Sequence, residues 1–393
     1  MRLALYTDTF APQMNGVTRT LGRLVAAVRE RGGDASVFTT SDPRAGVDDR
    51  VGRWPSIRCP KYPELRVALP NPTRAMNELL AFRPTLVHAA TPFALGASAR
   101  SAARSLGIPL VTSYHTSFSD YARFYGVGYL ERPIWSALRA FHNAGRRTFC
   151  PTEVVRRELA AHGFERLSVW GRGVDRAHFT PSRRTRDMRH RMGAGDGSIV
   201  VAYVGRIAPE KGIDHLLEAM TRLAAHDSTI VLVLAGDGPY LDHCRAIAPP
   251  NCRFLGRMEG LELAAFYASA DTFVFPSSTD TFGNVLLEAM ASGLPILAAD
   301  TPASREVLGG AGAYYEGDSA TALAASLTEL AYNHARRAHA GATSLARSAD
   351  FDWSRVFDAL FDEYDRAADA TSAVSLVHRR LGGTRGSPIA RSR

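Results

Sequence analysis

Two doubly wound α/β domains in tandem are the architecture this sequence predicts. Three observations carry the expectation. The 393 residues are enough for two domains of ordinary size. Short apolar or β-branched runs alternate with stretches of helical spacing, and the alternation occurs twice over. Several runs are apolar almost without interruption, as parallel strands covered on both faces must be. In such folds, ligands bind beyond the carboxyl ends of the strands.

In the first half, strands are expected at 2–7 (RLALYT), 36–40, 85–90 (TLVHAA), 109–115 (PLVTSYH), 147–152 and 167–170. Helical spacing covers 17–31, where Leu21, Leu24, Val25 and Val28 share a face, and 94–106. The second half repeats the pattern. Its strands are expected at 198–205 (SIVVAYVG), 229–235 (TIVLVLA), 252–255, 272–276 (TFVFP) and 295–299, with helices at about 212–225, 259–269 and 283–292. The boundary falls within 171–189, where Gly, Pro and charge are mixed. The division is therefore a domain over 1–172 and a second over 173–352. A terminal helix over 353–370 carries Val356, Leu360 and Tyr364 on one stripe, and 371–393 is expected to be a basic disordered tail.

Composition removes several classes. A chain with 46% hydrophobic and 22% charged residues is not wholly disordered. No apolar run reaches the roughly 18–20 residues of a membrane span. MRLALYTDTF carries an acidic Asp8 and no long apolar core, so it does not read as a secretory signal. Four cysteines (Cys59, Cys150, Cys244, Cys252) make no C-x-x-C pair. A cytoplasmic protein is expected. Charge is unevenly spread: residues 1–175 hold 24 Lys+Arg against 14 Asp+Glu, and residues 176–393 hold 23 against 25. A positive half beside a near-neutral one points to surfaces with different partners. Of 47 basic residues only Lys61 and Lys211 are lysine.

Four places set glycine or a helix start just after a strand, where free backbone N–H groups and the positive helix end suit a phosphate. The first is Asn15-Gly16-Val17-Thr18, where an ordinary βα turn is the plain alternative. No G-x-G-x-x-G surrounds it, which weighs against a dinucleotide oxidoreductase. The second is Gly205–Gly212 (GRIAPEKG), whose Arg206 and Lys211 could grip a diphosphate as fork and point charge. The third, Gly236-Asp237-Gly238-Pro239, reads equally as a turn or as a site. The fourth runs from Phe275 to Gly293. There Asp280 sits in a polar turn, Gly283, Asn284 and Val285 open a helix, and Glu288 interrupts an apolar stretch where it could accept from a ribose diol. His115 is expected to close its strand at the carboxyl end, where a first-domain site group belongs. No motif points to a metal: H-E-x-x-H and EF-hand patterns are lacking, and Asp350–Asp352 reads as a helix cap.

With these residues in hand, the chain resembles the retaining GT-B glycosyltransferases that carry an E-x7-E motif, here Asp280-x7-Glu288 followed by AMASGLP. The resemblance covers nearly the whole chain, through TDTFAPQMNGVTR, SYHTSF, GRGVD, GRIAPEKG, AGDGP, FLGRM and TDTFGNVLLEAMASG. Asp280 stands where Glu is commoner, one methylene shorter. Nearer resemblance is to GDP-mannose-dependent α-mannosyltransferases and sulfoquinovosyl-diacylglycerol synthases, through YPELRVALPNP and SYHT…YARFYGVGYLERPIW.

The resemblance implies two Rossmann-like domains facing across a cleft, the first on the acceptor side and joined by the terminal helix, the second binding the nucleotide sugar. It implies metal-independent, retaining transfer of a hexose, mannose from GDP-mannose being favoured, to a lipid-linked or envelope hydroxyl. No cofactor is implied beyond the donor substrate. Arg206, Lys211, Gly16 and the Gly283–Val285 amides would hold the diphosphate, Glu288 the ribose, Asp280 the sugar hydroxyls, the backbone at Arg257-Met258 the base, and His115 the sugar near the reacting carbon. A UDP-glucose or UDP-sulfoquinovose enzyme and an inactive nucleotide-sugar-binding protein remain open alternatives. Partners expected are a nucleotide sugar, a lipid or glycan acceptor and no nucleic acid. Cations interleaved with apolar residues (Arg58, Lys61, Arg66 and Arg74; Arg123, Phe124, Tyr125, Tyr129, Leu130, Trp135 and Leu138; then Arg146 and Arg147) point to peripheral contact with anionic membrane on its inner face. The plain alternative is a core-facing helix with solvated charges.

Overall fold

A computed structural model describes residues 1–13, 15–59, 62–115, 131–317 and 319–382. Among these described residues nine strands form in the first half: β1 (Arg2–Thr7), β2 (Asp34–Thr40), β3 (Val51–Trp54), β4 (Ser56–Cys59), β5 (Tyr62–Ala68), β6 (Leu86–Ala89), β7 (Leu110–Ser113), β8 (Arg147–Cys150) and β9 (Leu167–Val169). Seven of them make one parallel sheet in the order β3-β2-β1-β6-β7-β8-β9. The pair β4–β5 is a separate antiparallel hairpin. The second half builds a six-stranded parallel sheet from β10 (Ile199–Val204), β11 (Ile230–Ala235), β12 (Cys252–Gly256), β13 (Thr272–Phe275), β14 (Ile296–Ala299) and β15 (Gly312–Tyr315), in the order β12-β11-β10-β13-β14-β15. Two doubly wound α/β sheets are thus present, as the apolar strand runs required.

Each sheet reverses its strand order once, between β1 and β6 and between β10 and β13. The crevice outside the strand ends at such a reversal is where doubly wound folds take ligands. The β1 and β10 loops open there, with the β13 loop beside the latter.

Apolar burial explains the frame. In β10, Val200, Val201, Ala202 and Tyr203 are all buried, and every residue of β11 is. Their two faces feed separate cores: one with Phe266, Phe273 and Met290, the other with Leu216, Leu217 and Leu323. In the first half Leu21, Leu24, Val25 and Val28 of the helix Gly16–Glu30 pack with Leu3, Leu5 and Val37. Phe357, Leu360 and Tyr364 of the terminal helix enter that same cluster. Asp352 opens this helix, its carboxylate accepting from the Ser354 amide at 2.7 Å.

Several expectations need correction. The terminal helix runs Trp353–Gly382, past residue 370 and into the expected tail, because no Pro or Gly interrupts 353–381. Residues 383–393 lie outside the described residues. β3, β4, β5 and β15 carry too much charge, Pro or Gly to read as strands, and their edge or hairpin positions tolerate those residues. β7 ends at Ser113, so His115 lies just past it, in irregular backbone.

Candidate active site

The loop after β10 turns back through a single tight turn, Pro209–Lys211, and releases into the helix Ile213–Ala224 at Gly212. Gly212 has φ +68°, and a Cβ there would lie 2.5 Å from the Pro276 carbonyl oxygen. Only glycine allows both. That close approach seats the β10 loop against the end of β13. It also brings Lys211 to Asp280, Nζ to Oδ1 at 2.9 Å. Burial pulls the Asp280 carboxyl upward, but the charge and hydrogen bond of Lys211 outweigh it and leave it below its usual value. Arg206 is half-buried and faces the buried Glu210, Nη1 to Oε1 at 3.4 Å. Burial lowers the Arg206 pKa while Glu210 opposes that shift.

The Gly236–Gly238 turn has a packing role that the sequence left even with a binding one. A Cβ on Gly236 would lie 1.8 Å from the Gly205 oxygen, and one on Gly238 would lie 2.2 Å from the Ile207 oxygen. The two βα loops are laid backbone on backbone, with the Ile207 amide donating to the Asp237 carbonyl at 2.9 Å.

Beyond β13 the chain passes Asp280 and starts the helix Asn284–Ala291 from Gly283, at φ +80° and with no side-chain cap. Facing it is the start of Gly16–Glu30, whose Asn15 side chain accepts from the Thr18 amide at 2.9 Å. The two helix starts touch: a Cβ on Gly16 would meet Asn284 Nδ2 at 3.0 Å. The positive ends of two helices thus converge on one place, where their partial charges add for an anion. Glu288 lies one turn into its helix and is almost fully buried. Its Oε2 accepts from Tyr267 at 2.9 Å and its Oε1 pairs with Arg19 of the first domain at 3.0 Å. Burial raises the Glu288 pKa, against the pull of Arg19 and Tyr267.

His115 approaches from the first domain. Its main-chain oxygen accepts from Thr281 at 3.2 Å, which ties it to the turn holding Asp280. Contacts thus link Lys211 to Asp280, Gly16 to Asn284 and His115 to the turn that holds Asp280, with Arg206 on the loop of Lys211 and Gly283, Val285 and Glu288 at the helix start of Asn284. Arg257 and Met258 are expected to act through their backbone. Met258 is buried in the second-domain core with Phe282 and Leu286, and the exposed Arg257 pairs with Glu259 at 2.7 Å. Four residues join the site that no motif reading singled out: Arg19, Glu210, Tyr267 and Arg172. Arg19 closes the TDTFAPQMNGVTR stretch, Glu210 lies in GRIAPEKG and Arg172 in GRGVD, so membership of a motif was their only signal, and Tyr267 had none.

The basic surface of the first domain is thinner than its sequence implies. Trp135 and Leu138 are buried, with Trp135 stacked on His162 at 3.8 Å. Arg66 donates to the Ser56 carbonyl at 2.9 Å, and Arg74 pairs with Glu78 at 2.9 Å above the Trp54 ring. Arg146 and Arg147 hold the terminal helix through the Ala367 carbonyl at 2.8 Å and Glu363 at 2.7 Å. Those cations are structural, which corrects the expectation for them. Lys61, Arg123, Phe124, Tyr125, Tyr129 and Leu130 lie outside the described residues. Among the described residues no three His, Cys, Asp or Glu side chains gather as a metal site, and no helix is long and apolar enough to cross a membrane.

Comparison with known proteins bears on family and fold. The model of Glycosyltransferase Family 4 matches residues 14–178, and that of Glycosyl transferases group 1 matches residues 198–333. A GDP-mannose-dependent alpha-mannosyltransferase of Mycolicibacterium smegmatis is 36% identical over 378 residues, covering 93% of this chain and 97% of the relative. A sulfoquinovosyl transferase of Arabidopsis thaliana is 30% identical over 381 residues, covering 93% and 74%. Among solved structures, Anabaena HepE in complex with UDP and glucose has a TM-score of 0.75 at 17% identity, covering 92% of this chain and 99% of that one.

Proposed function

The chain belongs to the glycosyltransferases described by those two family models, and on that premise we propose that it transfers mannose from GDP-mannose to a hydroxyl of a lipid-linked or cell-envelope acceptor. One observation carries the donor reading. Two helix starts, at Gly16 and at Gly283–Val285, meet, and the turn leading into the second holds Asp280 against Lys211, which shares its loop with Arg206. Positive groups so arranged would stabilise charge on a departing diphosphate, which is often the largest catalytic contribution. Asp280 and Glu288 then supply acceptors for the sugar and ribose hydroxyls, and the backbone at Arg257-Met258 borders the base. The bond from the anomeric carbon to the phosphate oxygen breaks as the acceptor oxygen bonds to the same face. The acceptor proton passes to the leaving phosphate. The configuration is retained and no metal is called on.

The guanine nucleotide rests on the named relatives, of which the mannosyltransferase is similar over almost its whole length. A UDP-sugar donor is the second reading; the relative named a sulfoquinovosyl transferase favours a sugar other than mannose. An enzyme meeting a lipid-linked acceptor works at a membrane, here its cytoplasmic face. Support for contact comes from the basic first domain and from the hairpin β4–β5, where Arg58 is exposed beside Ile57, itself 62% exposed, with Leu69 just beyond at 53%.

The test is a melting-temperature panel of GDP- and UDP-sugars, followed by transfer assays on the sugar that binds. GDP-mannose at 100 times its Kd should stabilise the fold by about 2.7 kcal/mol. Stabilisation by UDP-glucose or UDP-sulfoquinovose alone selects the second reading. Binding with no transfer to any acceptor selects a nucleotide-sugar-binding protein.

A further inference from the structure

We infer that Arg172 and Ser113 are positioning residues that hold His115 as the neutral tautomer with its proton on Nε2, so that His115 shapes the cleft without carrying a proton to or from the reacting groups. This rests on the site proposed above for its functional meaning, though not for its chemistry.

Arg172 is a deeply buried guanidinium, held by its own turn: Nη1 donates to the Trp170 carbonyl at 2.6 Å and to the Gly171 carbonyl at 3.0 Å. It also lies over the Trp170 ring at 5.1 Å. Its Nη2 is 3.0 Å from His115 Nδ1. A guanidinium donates and cannot accept, so Nδ1 must offer its lone pair. The ring proton then belongs on Nε2, which is 2.8 Å from Ser113 Oγ and donates to it. Trp170 meets the imidazole edge-on at 5.7 Å and closes that side.

Ser113 is itself fixed from behind. Its hydroxyl lies 2.8 Å from His88 Nε2, and His88 Nδ1 lies 2.7 Å from the Tyr364 hydroxyl of the terminal helix. His88, Ser113 and Tyr364 are all buried. Either direction of donation between Ser113 and Tyr364 satisfies this part of the chain, so the forced step is the one at His115. Burial, then the nearby Arg172 charge, holds His115 well below its ordinary pKa, in agreement with a neutral ring. With both nitrogens engaged, the imidazole cannot serve a substrate proton without breaking a bond to Arg172 or Ser113.

Proton-detected nitrogen spectra of protein labelled with 15N-histidine report the tautomer directly, with His115 assigned by its loss in His115→Gln. At neutral pH the expected His115 signal has a bare Nδ1 and a protonated Nε2. A proton on Nδ1, or a cationic ring, overturns the inference. Arg172→Leu should lose the fixed tautomer and lower kcat by about 10²-fold, as expected for a mispositioned site group, with the donor KM changed less than about threefold. Arg172→Lys, which restores a donor, should recover the tautomer and most of kcat. Unchanged kcat in a folded Arg172→Leu protein also overturns the positioning role. Should Arg172→Leu fail to fold, the wild-type spectrum still decides. A protein with the expected tautomer that neither binds nor transfers any nucleotide sugar leaves the inference standing on its chemistry and removes the proposed function instead.

Discussion

Three cations of the site are paired with carboxylates, and those partnerships set what a ligand must rearrange. Lys211 pairs with Asp280, Arg206 with Glu210, and Arg19 with Glu288. Removing one member leaves the other in a low-polarity place, so charge deletions here act on stability as well as on turnover. The two cations are offered as the diphosphate grip, and Arg206→Ala or Lys211→Ala should each lower turnover by about 10²-fold or more, as loss of one oxyanion donor does. Comparing folded variants by their melting curves separates the two effects. Near-wild-type kinetics in both would remove these residues from the site. That Lys211 is lysine in an arginine-rich chain has a geometric reading: its point charge meets a single carboxylate oxygen at the end of a tight turn.

At the scale of elements, the βα loops matter more than the strands that carry them. The β10 loop is sandwiched between the Gly236–Gly238 turn and the end of β13, and glycine at 212, 236 and 238 lets the three backbones touch. Gly236→Ala should therefore destabilise the second domain by about 3 kcal/mol or more, in the range of a locally strained, overpacked substitution. It should weaken donor binding as well, because Arg206 and Lys211 ride on the displaced loop. Denaturant midpoints and nucleotide titrations check the two parts. A fully stable variant with unchanged binding would show that the loops can separate at no cost. Turn chemistry placed this glycine in the sequence, but its reason, a carbonyl 1.8 Å from where its Cβ would stand, belongs to a residue 31 positions away.

On the scale of the whole molecule, the two halves are stitched together at several points. Arg19 reaches Glu288, Arg23 reaches Asp175 at 3.3 Å, and Glu306 accepts from the amides of Glu153 and Val154 at 2.6 and 2.7 Å. The terminal helix returns to the first sheet and seats Tyr364 among its core residues. The positive charge stays concentrated in the first half even after the structural arginines are set aside. The proposed membrane contact predicts co-sedimentation with anionic vesicles that weakens as salt rises, since surface attraction is screened within about 8 Å at physiological ionic strength. Negligible binding to both neutral and anionic vesicles at low salt would favour an acceptor taken from solution.

The sequence by itself determined the two-sheet architecture, the order of its major strands along the chain and the four loop motifs, because apolar period and turn chemistry are local properties; the family was legible only as a resemblance carried by its motifs. His115, Arg206, Lys211, Asp280 and Glu288 were legible for the same reason: each stands beside a strand end or helix start. Tertiary structure alone decided what those residues face. Arg19 and Glu288 are 269 positions apart, and Arg172 and His115 are 57 apart. No local pattern links such pairs. It also decided that Trp135, Leu138 and Arg74 serve packing, and that Met258 belongs to the core. Side-chain partnership across a cleft depends on how two sheets are set against each other, and that is fixed by the summed packing of the whole chain rather than by any segment of it.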